Sequence, residues 1–213
     1  MEYPDDCVKQ LIEFMNDPQN FPVPESDQWD KAELRNERDR ALILTLADTG
    51  VRVEEICKLR CSDIDWETSQ ATLHSRGKKQ TFVRFSTRSI KAIKVYLARR
   101  MQLGLGINQT TSSLPLFARH DKGAGRKIKP VTPMTVQRIV TERVRQAVGP
   151  EAVGTITPHT FLHYFVTTIL QATGNLKLAQ VLARHTNIQI TQKYAHITER
   201  EINKSYSEIF DTL

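Results

Sequence analysis

Apolar positions fall in blocks whose spacing changes along the chain, and that spacing predicts most of the elements. From Lys31 onward a charged stretch gives way to Ala41, Leu42, Leu44, Leu46 and Ala47, then stops at Gly50, as a buried helix does at its end. A second helix is predicted from Val53 to Leu59. Two short runs, Ala71 to Leu73 and Thr81 to Phe85, flank the basic turn Ser75-Arg76-Gly77-Lys78-Lys79-Gln80 and read as a β-hairpin. Ile90, Ile93, Val95, Tyr96 and Leu97 mark a helix from Ile90 to Leu103, with Arg99 and Arg100 in its last turn, where cations complement the dipole. The stretch from Gly104 to Lys129 is rich in Gly, Thr, Ser and basic residues. Its single apolar run, Leu114-Pro115-Leu116-Phe117, predicts a long surface loop around a short strand.

Four helical segments close the chain, from Thr135 to Val148, Pro158 to Ala172, Leu176 to Ala183 and Glu199 to Phe210. Thr132 and Pro158 are start signals for the first two. Ahead of the body, Pro18, Pro22 and Pro24 with polar spacers predict a connector after a short first helix. The fold class expected is mainly α with a small β-hairpin or sheet (α+β). Residues 1–30 would be helix and linker, 31–198 the body, and 199–213 a final helix packing on its own domain or on a neighbouring protomer.

Composition adds a few bounds. With 213 residues and 39% hydrophobic content the chain can bury one full core. Thirty Lys and Arg against 24 Asp and Glu give +6, which favours an anionic partner such as nucleic acid or an acidic membrane surface. Cys7, Cys57 and Cys61 form no paired framework, so a reducing, cytoplasmic setting is expected. No apolar run approaches the roughly 20 residues needed to span a bilayer, and Met1 is followed by Glu2 and Asp5 in place of a signal peptide.

Three clusters carry candidate chemistry. In Thr49-Gly50-Val51-Arg52-Val53-Glu54-Glu55-Ile56, Gly50 permits a tight reversal and Arg52 sits on the turn into a helix, able to fork onto phosphate oxygens or to pair with Glu54 or Glu55. In Thr157-Pro158-His159-Thr160-Phe161-Leu162-His163, His159 lies in the first helical turn, placed to meet an anion or move a proton. His163 is one turn on, so a zinc pair comes into view, without a third ligand in sight. In Arg184-His185 through Thr191-Gln192-Lys193-Tyr194, the phenol is a weak nucleophile that needs cationic surroundings and a proton acceptor. A packed aromatic is the alternative for Tyr194 taken alone.

Together, in order and with the hairpin between the first two, these clusters resemble the tyrosine recombinase (phage integrase) family over most of residues 33 to 198. The motifs are Thr49-Gly50-Val51-Arg52 with its acidic pair and Leu59 to Asp65, Thr157-Pro158-His159 to Leu162, and Leu182 to His185 with Thr191 to Tyr194. The resemblance implies the tyrosine recombinase catalytic-domain fold for residues 31–198. It also implies duplex DNA as partner, assembly as a tetramer on DNA, and cleavage through a 3′-phosphotyrosine with no metal or nucleotide cofactor. Position by position it makes Arg52 the first phosphate clamp, His159 a proton-transfer or phosphate contact, His185 a hydrogen-bond donor to the phosphate, and Tyr194 the nucleophile. Arg184 and the hairpin residues Arg76, Lys78 and Lys79 would contact DNA.

Two positions depart from the family pattern. The family's second arginine is replaced by Leu162, and counting back from the Phe82-Val83 strand puts Arg76 where the family has the lysine that protonates the leaving 5′-oxygen. Lys78 or Lys79 can reach that oxygen from the same turn, whereas an arginine is too basic to give up its proton readily. Replacing a bidentate Arg by Leu removes about 3 to 5 kcal/mol of transition-state stabilisation, on the order of 10² to 10⁴ in rate. An impaired recombinase and a DNA-binding member that does not cut are therefore both open. A type IB topoisomerase relative would share the chemistry, but the chain is short for one.

Overall fold

The computed structural model describes residues 4–21, 29–74, 80–105, 114–121 and 128–194. The longest element is α2 (Trp29–Thr49), free of Gly and Pro throughout. Ala41 to Leu44, Leu46 and Ala47 are each at most 2% exposed, so the second half of this helix is covered on all sides. Two threonines fit in that apolar stretch because each hydroxyl donates back to its own helix, Thr45 Oγ1 to Ala41 O and Thr49 Oγ1 to Thr45 O, both at 2.7 Å.

Helix α1 (Pro4–Asn16) opens on Pro4 with Asp5 and Asp6 in its first turn and buries Val8, Leu11, Ile12 and Met15 along one stripe. Its last carbonyls are met by a cation from α2: Arg40 Nε donates to Met15 O at 2.8 Å and Nη2 to Asn16 O at 3.3 Å. The first helix thus belongs to the core and is no detached arm.

After α3 (Val53–Ile56), three strands form an antiparallel sheet in the order β1 (Ile64–Asp65), β2 (Gln70–His74), β3 (Gln80–Arg84). The register pairs Ala71 with Val83 and with Ile64, and all three face the core along with Leu73. The hairpin is the one the alternation predicts; β1 is an addition to it. The turn residues 75–79, with Arg76, Lys78 and Lys79, lie outside the described residues, as does the predicted helix over 199–210.

Helix α4 (Thr87–Gln102) is capped by Ser86, whose Oγ accepts from Ser89 N at 3.1 Å, and packs along α2. Arg99 and Arg100 stand in the last turn of α4, as predicted, and Arg100 is turned inward. It is 3% exposed and donates to Pro115 O at 2.9 Å and Leu116 O at 3.3 Å. The predicted strand at 114–117 is instead a buried, bent segment held by those bonds, by Leu116 N to Leu59 O at 2.8 Å, and by a bridge between Arg60 and Pro115. Proline here leaves no room for a regular ladder. Beside it, Tyr96 stacks on Phe117 and its hydroxyl lies 2.8 Å from His120 Nε2.

Helix α5 (Pro133–Ala147) is capped by Thr132 and carries the buried Arg143. Asp39 of α2 accepts from Arg143 Nε at 3.0 Å, which ties α5 to α2, and from its neighbour Arg38 Nε at 2.8 Å. Next come α6 (Pro158–Thr173), α7 (Leu176–Leu182) and α8 (Ile188–Gln192). The chain divides into two compact units, residues 1–165 and 166–213. No described helix is long and apolar enough to cross a membrane.

Candidate active site

In the first unit the Arg52 turn is fixed from several directions. Gly50 adopts φ +56°, and a Cβ there would fall 2.4 Å from Phe165 Cδ1, so only glycine lets the end of α2 pass so close to α6. Val51 N donates to Thr49 Oγ1 at 3.2 Å. Asp48, 8% exposed in its side chain, accepts from Ser86 Oγ and takes both ends of the Arg88 fork, with Arg88 Nε at 2.8 Å. A carboxylate in the last turn of a helix opposes the dipole, and these donors are what hold it there.

Arg52 itself is the N-cap residue of α3. Its backbone N–H donates to Glu55 Oε2 at 2.8 Å while its Nη1 lies 3.4 Å from Glu55 Oε1. Of the two acids, Glu55 is the partner because position N3 reaches back to the cap. The Arg52 side chain is 38% exposed, so the guanidinium is held on one edge and open to solvent on another.

His159 and His163 are both exposed on α6, their rings edge-on with centroids 4.9 Å apart. Burial, followed by the neighbouring His159, pulls the His163 pKa below its ordinary value, and Asp5 acts against that shift. Among the described residues no group of three or more His, Cys, Asp or Glu side chains is placed to hold a metal. Leu162, one residue before His163, is 5% exposed.

In the second unit Arg184, just past the Ala183 cap of α7, adopts φ +56°, and this left-handed residue turns the chain so that His185 N donates to Gln180 O at 3.1 Å. Gln180 Nε2 returns a bond to His185 O at 3.2 Å. The imidazole is 7% exposed, with Nδ1 2.9 Å from the hydroxyl of the fully buried Thr191. Thr191 lies in α8, and its carbonyl accepts from Tyr194 N at 3.0 Å. One residue therefore orients His185 through its side chain and Tyr194 through its backbone. Burial pushes the Tyr194 phenol above its ordinary pKa, the opposite of what a ready nucleophile requires.

The geometry thus brings Gly50 and the Arg52 turn against α6 in one unit, and His185, Thr191 and Tyr194 together in the other. Asp48, Gln180 and the cap role of Glu55 were not read from the sequence. An acid at a helix C-terminus was the available signal for Asp48.

A model of the phage integrase family matches residues 6–201. The tyrosine recombinase XerC of Bacillus licheniformis is 30% identical over 170 residues, 80% of this chain and 53% of that protein. The chain spans about half the length of the curated relatives it matches. Among solved structures, the XerA recombinase is 26% identical with a TM-score of 0.65, over 96% of this chain and 63% of that one. The XerH site-specific recombinase bound to a palindromic difH substrate, at 20% identity and a TM-score of 0.68 over 95% of this chain and 51% of that one, shares the fold.

Proposed function

The chain belongs to the phage integrase family, and from that premise we propose that it breaks and rejoins duplex DNA in site-specific recombination, with Tyr194 as the nucleophile. The phenolic oxygen attacks the scissile phosphorus, the bond to the 5′-oxygen breaks, and a 3′-phosphotyrosine results. The leaving oxygen takes a proton from Lys78 or Lys79. A 5′-hydroxyl from another strand reverses the step, and because the phosphotyrosine keeps the bond energy, no nucleotide is consumed.

The observation that carries this reading is the Thr191 arrangement, which orients a buried His185 and the Tyr194 backbone from one residue. His185 would donate to a non-bridging oxygen, Arg52 would clamp the phosphate from its open edge, and His159 would move a proton or contact the phosphate. Arg76 and Arg184 would hold the DNA backbone. Charge grows on those oxygens in the transition state, and fixed cations and donors are the largest source of rate for such a step. The raised phenol pKa means that Tyr194 depends on that cationic surrounding for its activation. Working units would be tetramers on two duplexes, on the nucleoid inside the cell.

Leu162 supports a second reading. An apolar, 5% exposed side chain stands where the family places a phosphate-binding arginine, which fits a member that binds DNA without cutting it. A library of nicked suicide duplexes with randomised arms, resolved on a denaturing gel, separates the two. A weak covalent adduct that Tyr194→Phe abolishes supports cleavage, and Leu162→Arg should raise its yield by about 10² or more. No adduct from either the wild type or Leu162→Arg would leave the binding-only reading standing.

A further inference from the structure

Between α2 and α5 a pocket of 360 Å³ opens beside the Asp39 network, and none of the residues lining it has a role in cleavage. Four arginines line it, Arg35, Arg38, Arg138 and Arg143, against two carboxylates, Asp39 and Glu142. The lining therefore carries a surplus of two positive charges. Asp39 is occupied by Arg38 and Arg143, and Glu142 by Arg145 Nη1 at 2.9 Å. The side chains of Arg35 and Arg138 have neither a hydrogen bond nor an ion pair among the described residues.

Asn36 provides an independent observation. It is 9% exposed and lines the pocket. Its Oδ1 accepts from Arg143 Nη2 at 2.7 Å, which fixes the orientation of the amide. The Nδ2 donor is then left buried with no acceptor. Buried donors in folded proteins are nearly always satisfied, so this one points to a missing acceptor.

The occupant must accept hydrogen bonds and carry about two negative charges. A carboxylate brings one charge and two oxygens. A phosphodiester also brings one, and is substituted on both sides. A phosphate monoester or free phosphate brings close to two charges near neutral pH and at least three acceptor oxygens, in the geometry guanidinium forks match. We propose that this pocket binds a phosphoryl dianion, as inorganic phosphate or as the terminal group of a small phosphate monoester.

Isothermal titration of the whole chain with inorganic phosphate and, separately, with a nucleoside 5′-monophosphate tests this and distinguishes the two sources. Saturable binding of either is expected, weakened at least tenfold by Arg138→Gln. Arg138 is exposed and makes no internal bond, so the variant should fold normally. Asn36→Asp keeps the acceptor for Arg143 and replaces the orphan donor by an oxygen, which should abolish binding. Lys94→Gln removes an equal charge from exposed α4 and should leave affinity unchanged. Equal weakening by Lys94→Gln, unchanged affinity in both pocket variants, displacement by a short DNA duplex but not by free phosphate, or no binding at all would each overturn the proposal.

Discussion

Replacing Gly50 by Ala tests the close passage that sets the Arg52 turn. At φ +56° an alanine pays about 1 to 2 kcal/mol for the left-handed conformation. Its Cβ would also lie 2.4 Å from Phe165 Cδ1, 3.0 Å from Cγ and 3.1 Å from Cε1, so the whole ring must shift. Overpacking of that kind costs about 1 to 3 kcal/mol. The smaller freedom of alanine in the unfolded chain returns about 0.4 to 1 kcal/mol. The net loss is about 1 to 5 kcal/mol, set against the roughly 5 to 15 kcal/mol of an ordinary domain. Urea unfolding followed by tryptophan fluorescence and circular dichroism measures it, with the slope checked for a change in the transition itself. A Phe165→Leu background removes the ring and leaves only the backbone part, so Gly50→Ala should then cost about 1 kcal/mol. An equal loss in both backgrounds, or a loss below about 1 kcal/mol with Phe165 present, refutes the reasoning.

Two further outcomes follow from His120 and from the Thr191 contact of His185. The pKa of His120 is pulled from 6.5 to about 3, first by burial and then by the charges of Arg38 and Arg100. The unfolded chain therefore takes up the proton first, and stability that is full above pH 6.5 is lost as pH falls towards the folded value, by about 2 kcal/mol at pH 5. His120→Gln should flatten that slope in urea midpoints taken between pH 7.5 and pH 5; the lowered His163 adds a slope of the same sign and would remain. A slope untouched by the substitution would show that the proton goes elsewhere. Thr191→Val keeps the shape but takes the hydroxyl from His185 Nδ1, costing about 1 to 3 kcal/mol of stability. It should also lower covalent adduct yield, which Thr191→Ser restores; an adduct yield unchanged in Thr191→Val would remove Thr191 as a positioning residue.

Long periodic segments were legible in the sequence, because burial of one face or of all faces leaves a spacing that survives any context. Helices α2, α4, α5, α6 and α7 all stand within a few residues of their predicted limits. The two-residue β1 and the single-turn α8 leave too little pattern to find, although Asn187 marks the start of α8 as its cap. The predicted strand at 114–117 failed because an apolar run says that a segment is buried and nothing about its partners. Arg100 stands in the last turn of α4 as its position predicts, but its burial was not legible, because the carbonyls that accept from it lie 15 and 16 residues away. At the candidate site the residue types were visible in the motifs. Which acid meets Arg52, and which hydroxyl orients His185, depended on one-turn geometry that spacing alone does not resolve.

Asp48 joins parts of the first unit that the sequence keeps far apart. Ser86 and Arg88, which it binds, follow β3 by only a few residues, and Arg52 follows Asp48 by four. The stem of the basic hairpin and the arginine turn therefore share a single pivot. A displacement of β3 would be passed through Ser86 and Arg88 to the carboxylate in the last turn of α2, four residues before Arg52.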